Sequence, residues 1–279
     1  MYSVVRRPSK TYVQDIISFY TKTIRNLDYD QLKTYHKTIL RKYIYGTNAI
    51  EGSQLSEMEV ETLLTDEVVP KNLPNNDIRS VYNFTRLHKE DLSGPIDISM
   101  IKKIHQIFTR NIIDTDGKPS KSGQFRTAVV TISGSCHPVS RPDKIESDLA
   151  ELIRWKENTE IDPIELAAIF HARFELIRPF LDFNGWVGRH ILNLMLIREG
   201  LPAIYILPNQ RTIYLNALQE ADFFNYRNIV EFVIKRMFIS MLHLLSVSSI
   251  LQILQTMQIV NKEIENLFEK AILEDSQRD

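Results

Sequence analysis

Asp162–Gly200 reads DPIELAAIFHARFELIRPFLDFNGWVGRHILNLMLIREG, and its pattern decides the fold. Asp162 and Glu165 make a capping-box pair, with Pro163 at the first helical position, where a missing N–H costs nothing. Leu166, Ala167, Ile169, Phe170, Phe174 and Ile177 then recur at helical spacing. Pro179 ends or kinks that helix. Asn184 or a near neighbour is expected to cap a second helix carrying Arg189, Ile191, Leu192, Leu194 and Leu196, with Gly200 as its stop. The expected product is helix, tight loop, helix, both apolar enough to be core.

The loop suggests chemistry. Asp182 offers a carboxylate and Asn184 an amide, while Gly185 and Gly188 let backbone approach a ligand closely. Unpaired N–H groups in the first turn of the second helix, with Arg189 one turn in, make an anion cradle whose usual guest is phosphate. The plainer alternative is an Asx-capped helix with a surface arginine.

Composition sets bounds. A chain of 279 residues with 43% hydrophobic and 25% charged residues is ordinary for a soluble globular protein with a substantial core. A formal charge of −1 gives no long-range argument for nucleic acid or an anionic membrane. Cys136 is the single cysteine, so an internal disulfide and a thiolate metal cluster are excluded. MYSVVRRPSK lacks the apolar run of a signal peptide, so a cytoplasmic protein is expected. Nine glycines and eleven prolines between long periodic runs point to a mainly helical chain.

Other helices follow from their starts. Tyr12–Ile24 is amphipathic; Asp28 with Gln31, and Ser56 with Glu59, are further capping-box pairs. Helices are expected near Asp77–His88, Asp97–Phe108, Asp143–Lys156 and Thr212–Asp222, with a polar connector at Pro70–Asn76. His105 reads as a ring that satisfies a backbone group near the core. Ala128–Ile132 reads as a β segment, with Gly134–His137 turning back. Cys136 and His137 are adjacent but lack a third ligand at metal spacing. Residues Asn228–Lys270 are nearly all compatible with helix. Their apolar run, Met237–Val260, is interrupted every third residue by serine, histidine or glutamine, so a membrane span is rejected. Nothing resembles a recognition helix for nucleic acid.

Residues 178–189 bring a family into view. The chain resembles the Fic/DOC family, whose signature runs His-Pro-Phe-x-(Asp/Glu)-Gly-Asn-Gly-Arg-x-x-Arg. Pro179, Phe180, Asp182, Asn184, Gly185 and Arg189 match it. Arg178 stands at the histidine, Phe183 at the first glycine and Trp186 at the first arginine. Thr47–Gly52 is similar to the family's inhibitory motif, (Ser/Thr)-x-x-x-Glu-(Gly/Asn), and Gly123–Arg126 to its Gly-x-x-Arg lead-in. The similarity covers about residues 40 to 220.

The resemblance implies an all-α, Fic-type helical bundle with a small β-hairpin flap. It divides the chain into an N-terminal helical region (1–92) carrying the inhibitory-type helix, a core with flap and signature loop (93–200), and C-terminal helices packed on it (201–279). It implies transfer of AMP from ATP to a protein hydroxyl, with Mg²⁺ on Asp182. Phosphates would lie on Asn184, Gly185 and Arg189, and Tyr214 at the adenine side, unless that tyrosine is simply core. Glu51 would reach Arg189 and block the nucleotide, unless it merely caps a helix. A protein target would add a strand at the flap, Val129–Ser133; the alternative is a surface hairpin closing the bundle. A homo-oligomer is possible.

The departures bear on turnover. An arginine side chain stays protonated, its pKa above about 12, so Arg178 cannot serve as a base. Losing a positioned base costs on the order of 10²–10⁴ in rate. Phe183 and Trp186 add bulk and are expected to narrow the cradle. Weak or absent transfer is therefore expected. The alternatives are an enzyme of altered chemistry, such as removal of AMP using Glu51, and a non-catalytic nucleotide- or protein-binding module.

Overall fold

A computed structural model describes residues 10–65, 74–131 and 138–244. Ten α-helices lie among them: α1 (Lys10–Arg25), α2 (Tyr29–Ile50), α3 (Glu57–Thr65), α4 (Asn75–His88), α5 (Ile98–Phe108), α6 (Ile145–Asn158), α7 (Pro163–Ile177), α8 (Asn184–Arg198), α9 (Arg211–Ala221) and α10 (Arg227–Leu242). Short 3-10 turns at Pro142–Lys144 and Pro208–Gln210 lead into α6 and α9.

Local chemistry accounts for most helix ends. Asp162 accepts N–H bonds from Ile164 and Glu165, with Pro163 opening α7. Asp28 and Gln31 form a reciprocal box at α2, and Ser56 and Glu59 do so ahead of α3. Gly200, at φ +72°, ends α8 in a paired cap: its N–H reaches the Ile197 carbonyl and Leu201 N–H reaches Leu196. At the start of α6 no side chain caps the helix, and the 3-10 turn opened by Pro142 supplies the entry instead.

Helices α7 and α8 are the centre. Ile164, Ala167, Phe170 and Phe174 of α7 and Val187, Ile191 and Leu196 of α8 are buried, and α6, α9 and α10 pack on α7 while α5 packs on α8. With neighbours on several sides α7 is apolar around most of its circumference, as a core helix should be. Each fully buried Phe or Leu contributes about 1.5–3 kcal/mol to this arrangement.

The bundle is all-α, but the expected β-hairpin flap is overturned: no β-strand occurs among the described residues. The only bridge there joins Ile113 to Pro119. Residues 126–131 are irregular because the buried Arg126 guanidinium takes nearby carbonyls, donating to Ala128 O at 2.9 Å and to Ser140 O. Carbonyls engaged by a side chain are not free to form a ladder. Val129 is 80% exposed, and in the described part of Val129–Ser133, residues 129–131, strand addition has no strand to extend. Residues 132–137, with Cys136 and His137, lie outside the described residues, as do residues 70–73 of the polar connector and everything past residue 244. No described helix is long and apolar enough to cross a membrane.

Candidate functional site

The turn between α7 and α8 is bracketed by two non-glycine residues in the left-handed region, Arg178 (φ 49°) and Phe183 (φ 61°). Such a conformation costs an ordinary L-residue roughly 1–2 kcal/mol, so something must hold it. Arg126 does so from one side. Its guanidinium donates to the carbonyls of Arg178 (2.7 Å) and Ile177 (3.4 Å), and its own N–H to Pro179 O (3.0 Å). Those carbonyls are orphans of the α7 C-terminus, where a cation is favoured.

Asn184 holds the turn from the other side. Phe183 caps α8 without a side-chain bond, and Asn184 is the first helical residue rather than the cap. Its amide spans Phe180, accepting from Phe180 N and donating to Phe180 O, both at 2.9 Å. Phe180 is fully buried and stacks on His105, centroids 3.8 Å apart. His105 accepts the Gly123 N–H at Nδ1 (2.9 Å). Burial pushes its pKa down to about 4, against the pull of the Asp182 backbone, so the ring is neutral. The structural reading of His105 is thereby met.

The substituted aromatics turn towards the core. Trp186 is 7% exposed and packs on Phe183 (4.2 Å between centroids), Phe84 (5.6 Å) and Phe108 (5.9 Å). One residue along a helix is a rotation of about 100°, so Trp186 shares a face with His190 while Gly185 shares one with Arg189.

A carboxylate fills the approach to the Gly185 face instead. Glu51, the C-cap of α2, places Oε1 at 2.7 Å from Arg189 Nη2. The same nitrogen lies 3.4 Å from Thr47 O. A Cβ on Gly185 would sit 2.3 Å from Glu51 Oε1 and 2.7 Å from Arg189 Nη1, so only glycine admits the pair. Arg189 is 3% exposed; burial alone would lower its pKa, but Glu51, then Tyr214 and Glu175, leave it raised. Its charge is permanent. The first-turn amides of α8 lack intrahelical partners, so a helix start and a guanidinium converge on an anion already supplied by the chain.

Several residues that set this geometry escaped sequence reading. Arg211 Nε donates to Ile50 O (2.9 Å), tying the end of α2 to α9. Ser80 Oγ donates to Asn48 Oδ1 at 2.5 Å. Gly46 lies so near the 201–207 segment that a Cβ would fall 2.0 Å from Ile206 O. Behind Arg189, His171 Nε2 meets the Tyr214 hydroxyl at 2.7 Å, and His171 Nδ1 lies 3.8 Å from Glu175 Oε1. Burial pushes the Glu175 carboxyl up to about 7 and His171 down to about 3, the latter helped by Arg189. Tyr214 is thus an internal side chain, 1% exposed, with its hydroxyl on His171. Histidine and glutamate four residues apart on a mainly apolar helix were the available signal.

No group of three or more metal-ligating side chains occurs among the described residues. Asp182 still offers a carboxylate to a hard ion: it is exposed, and among the described residues its side chain accepts only the Phe183 N–H, at Oδ1 (2.8 Å). Mg²⁺ commonly takes one or two carboxylates with phosphate and water completing its shell.

Residues 95–196 match the Fic/DOC family, so the chain carries a Fic/DOC domain. Protein adenylyltransferase fic-1 of Caenorhabditis briggsae is 28% identical over 255 residues, covering 83% of this chain and 48% of that protein. Its namesake in Caenorhabditis elegans is 31% identical over 223 residues, covering 72% and 42%. The chain thus spans about half the length of the curated relatives it matches. Among solved structures, Fic-1 of C. elegans is similar at TM-score 0.70 and 26% identity, over 84% of this chain and 72% of that one. A Fic-domain signalling protein of Bacteroides thetaiotaomicron shares the fold, with TM-score 0.73, 21% identity and coverage of 83% and 96%.

Proposed function

We propose that this is a Fic domain of the adenylyltransferase type whose nucleotide cradle is held shut by Glu51 and whose transfer step lacks its usual base. The observation that carries the reading is the Glu51–Arg189 contact packed on Gly185. A carboxylate at a helix start, on the guanidinium one turn in, occupies the place of an anionic ligand group. A phosphate approaching Gly185 must displace it. When the carboxylate withdraws, Arg189 and the first-turn amides would hold phosphate and Asp182 the Mg²⁺, which neutralises phosphate charge. Asn184 serves the turn, through Phe180, more than the ligand. Tyr214 acts from behind Arg189 through His171.

At the transfer step Arg178 offers no proton acceptor. Weak transfer is the consequence, and ATP binding is the property to measure first. Calorimetric titration with ATP and Mg²⁺ is expected to show weak binding by the wild type and tighter binding by Glu51→Gln. Equal affinity in both would refute the closed cradle. Incubation with ATP labelled in its α-phosphate is expected to leave protein hydroxyls unlabelled; strong labelling by the wild type would refute the loss of transfer.

A further inference from the structure

A second feature lies on the far side of α5, away from Glu51 and Arg189. Helices α4 and α5 run antiparallel: Asn83 Nδ2 donates to the carbonyls of Phe108 and Arg110, while Glu90 meets Lys103 at 3.1 Å. Arg79 and Arg86 are seven residues apart on α4, two turns and about 10 Å along one face. Lys103 and Arg110 repeat that spacing on α5 and its C-terminal extension. The antiparallel pairing sets Arg110 opposite Asn83 and Lys103 opposite Glu90, so each lies about one helical turn from Arg79 and Arg86 respectively along the shared groove.

These four side chains line a groove of about 740 Å³ between α4, α5 and the loop through Ser122. Among the described residues the one carboxylate lining it, Glu90, is engaged by Lys103. The Arg79 and Arg110 guanidinium groups make no hydrogen bond or ion pair among the described residues, and that of Arg86 reaches there only Asn83 Oδ1 at 3.5 Å. Like charges gathered without counter-charge repel one another, and Arg79 is only partly solvated. With a formal net charge of −1, the chain as a whole does not explain such an excess.

We propose that this groove docks an acidic, carboxylate-rich stretch of a partner protein. Cations spread over about 10 Å suit several carboxylates along an extended chain rather than one phosphate. The floor includes Ile107, Ile112 and Pro119, which receive apolar side chains between the acids. Among the described residues no aromatic ring lines the groove, so bases find no stacking platform there.

The test is fluorescence anisotropy on the full chain with a labelled Glu/Ser peptide of about twelve residues, long enough to span the groove. A Lys/Ser peptide and a thymidine oligonucleotide of the same length are the comparison probes. The Glu/Ser peptide is expected to bind, to weaken as salt rises from about 50 to 300 mM, and to lose about tenfold in affinity in Arg79→Glu/Arg110→Glu. Arg79→Gln/Arg110→Gln, checked by circular dichroism, replaces that variant if charge reversal disturbs the helices. No binding, undiminished binding by the folded variant, or tighter binding of the Lys/Ser peptide or the oligonucleotide would each overturn the proposal.

Discussion

The Glu51 carboxylate at the end of α2 and the Arg189 guanidinium one turn into α8 meet at 2.7 Å across 138 residues of chain. The arginine is buried, but the glutamate side chain keeps 41% of its exposure, so the pair lies at the rim of the core rather than within it. Solvent screening limits its worth to about 1 kcal/mol. Glu51→Gln is therefore expected to lower stability only by about that amount in urea titration, while raising ATP affinity about tenfold or more. A large stability loss with unchanged affinity would make Glu51 a structural cap.

Introducing a histidine at Arg178 tests the proposed lack of a base. Histidine tolerates the left-handed backbone found there better than most residues. Arg178→His combined with Glu51→Gln is expected to raise incorporation of labelled AMP about 10²–10⁴-fold over Glu51→Gln alone. Incorporation that stays flat would refute the reading that the missing base limits transfer.

Phe183 couples packing to backbone strain. Phe183→Ala removes the ring contacts with Trp186 and His105 and keeps the left-handed cost. Phe183→Gly removes the same contacts but relieves that cost. The glycine variant is expected to be about 1 kcal/mol more stable than the alanine variant by urea unfolding, the reverse of the order in an ordinary helix.

Gly46 is where α2 crosses the segment after α8. Gly46→Ala places a methyl 2.0 Å from Ile206 O, a backbone atom that cannot swing aside, and is expected to cost about 2 kcal/mol or more. Gly94→Ala, whose nearest neighbour would be the Met100 methyl at 3.8 Å, is expected to be nearly neutral. Thermal denaturation of the two variants checks the contrast.

Buried titratable groups set the acid response. His105, His171 and His190 are held neutral, with pKa values pushed by burial to about 4, 3 and 4 from 6.5. Their contribution is full above about pH 6.5 and lost as pH falls through those values, because the unfolded chain takes up protons first. Glu175 works in the opposite sense: raised to about 7 from 4.5, it contributes fully below about 4.5 and loses that as pH rises through 7. Three rings exceed one carboxyl, so stability is expected to rise from about pH 4 to 6.5. Glu175→Gln should steepen the rise by up to about 1.4 kcal/mol per pH unit. Urea midpoints across that range measure both slopes.

What the sequence determined by itself was the local order of α7, turn and α8. Asp162, Pro163 and Gly200 cap through atoms a few residues away, and periodicity declares which faces must be buried, so neither depends on the rest of the chain. Tertiary structure decided everything that depends on direction or distance. Trp186 was legible as bulk on a phosphate loop, yet its helical phase and the rings of Phe84 and Phe108 draw it inward. The expected strand at Ala128 gave way because a buried guanidinium, also reaching Arg178 O, takes its carbonyl. Glu51 reaches Arg189 because Arg211, Ser80 and Gly46 fix where α2 ends, and contacts between remote segments are set by packing that no short stretch encodes.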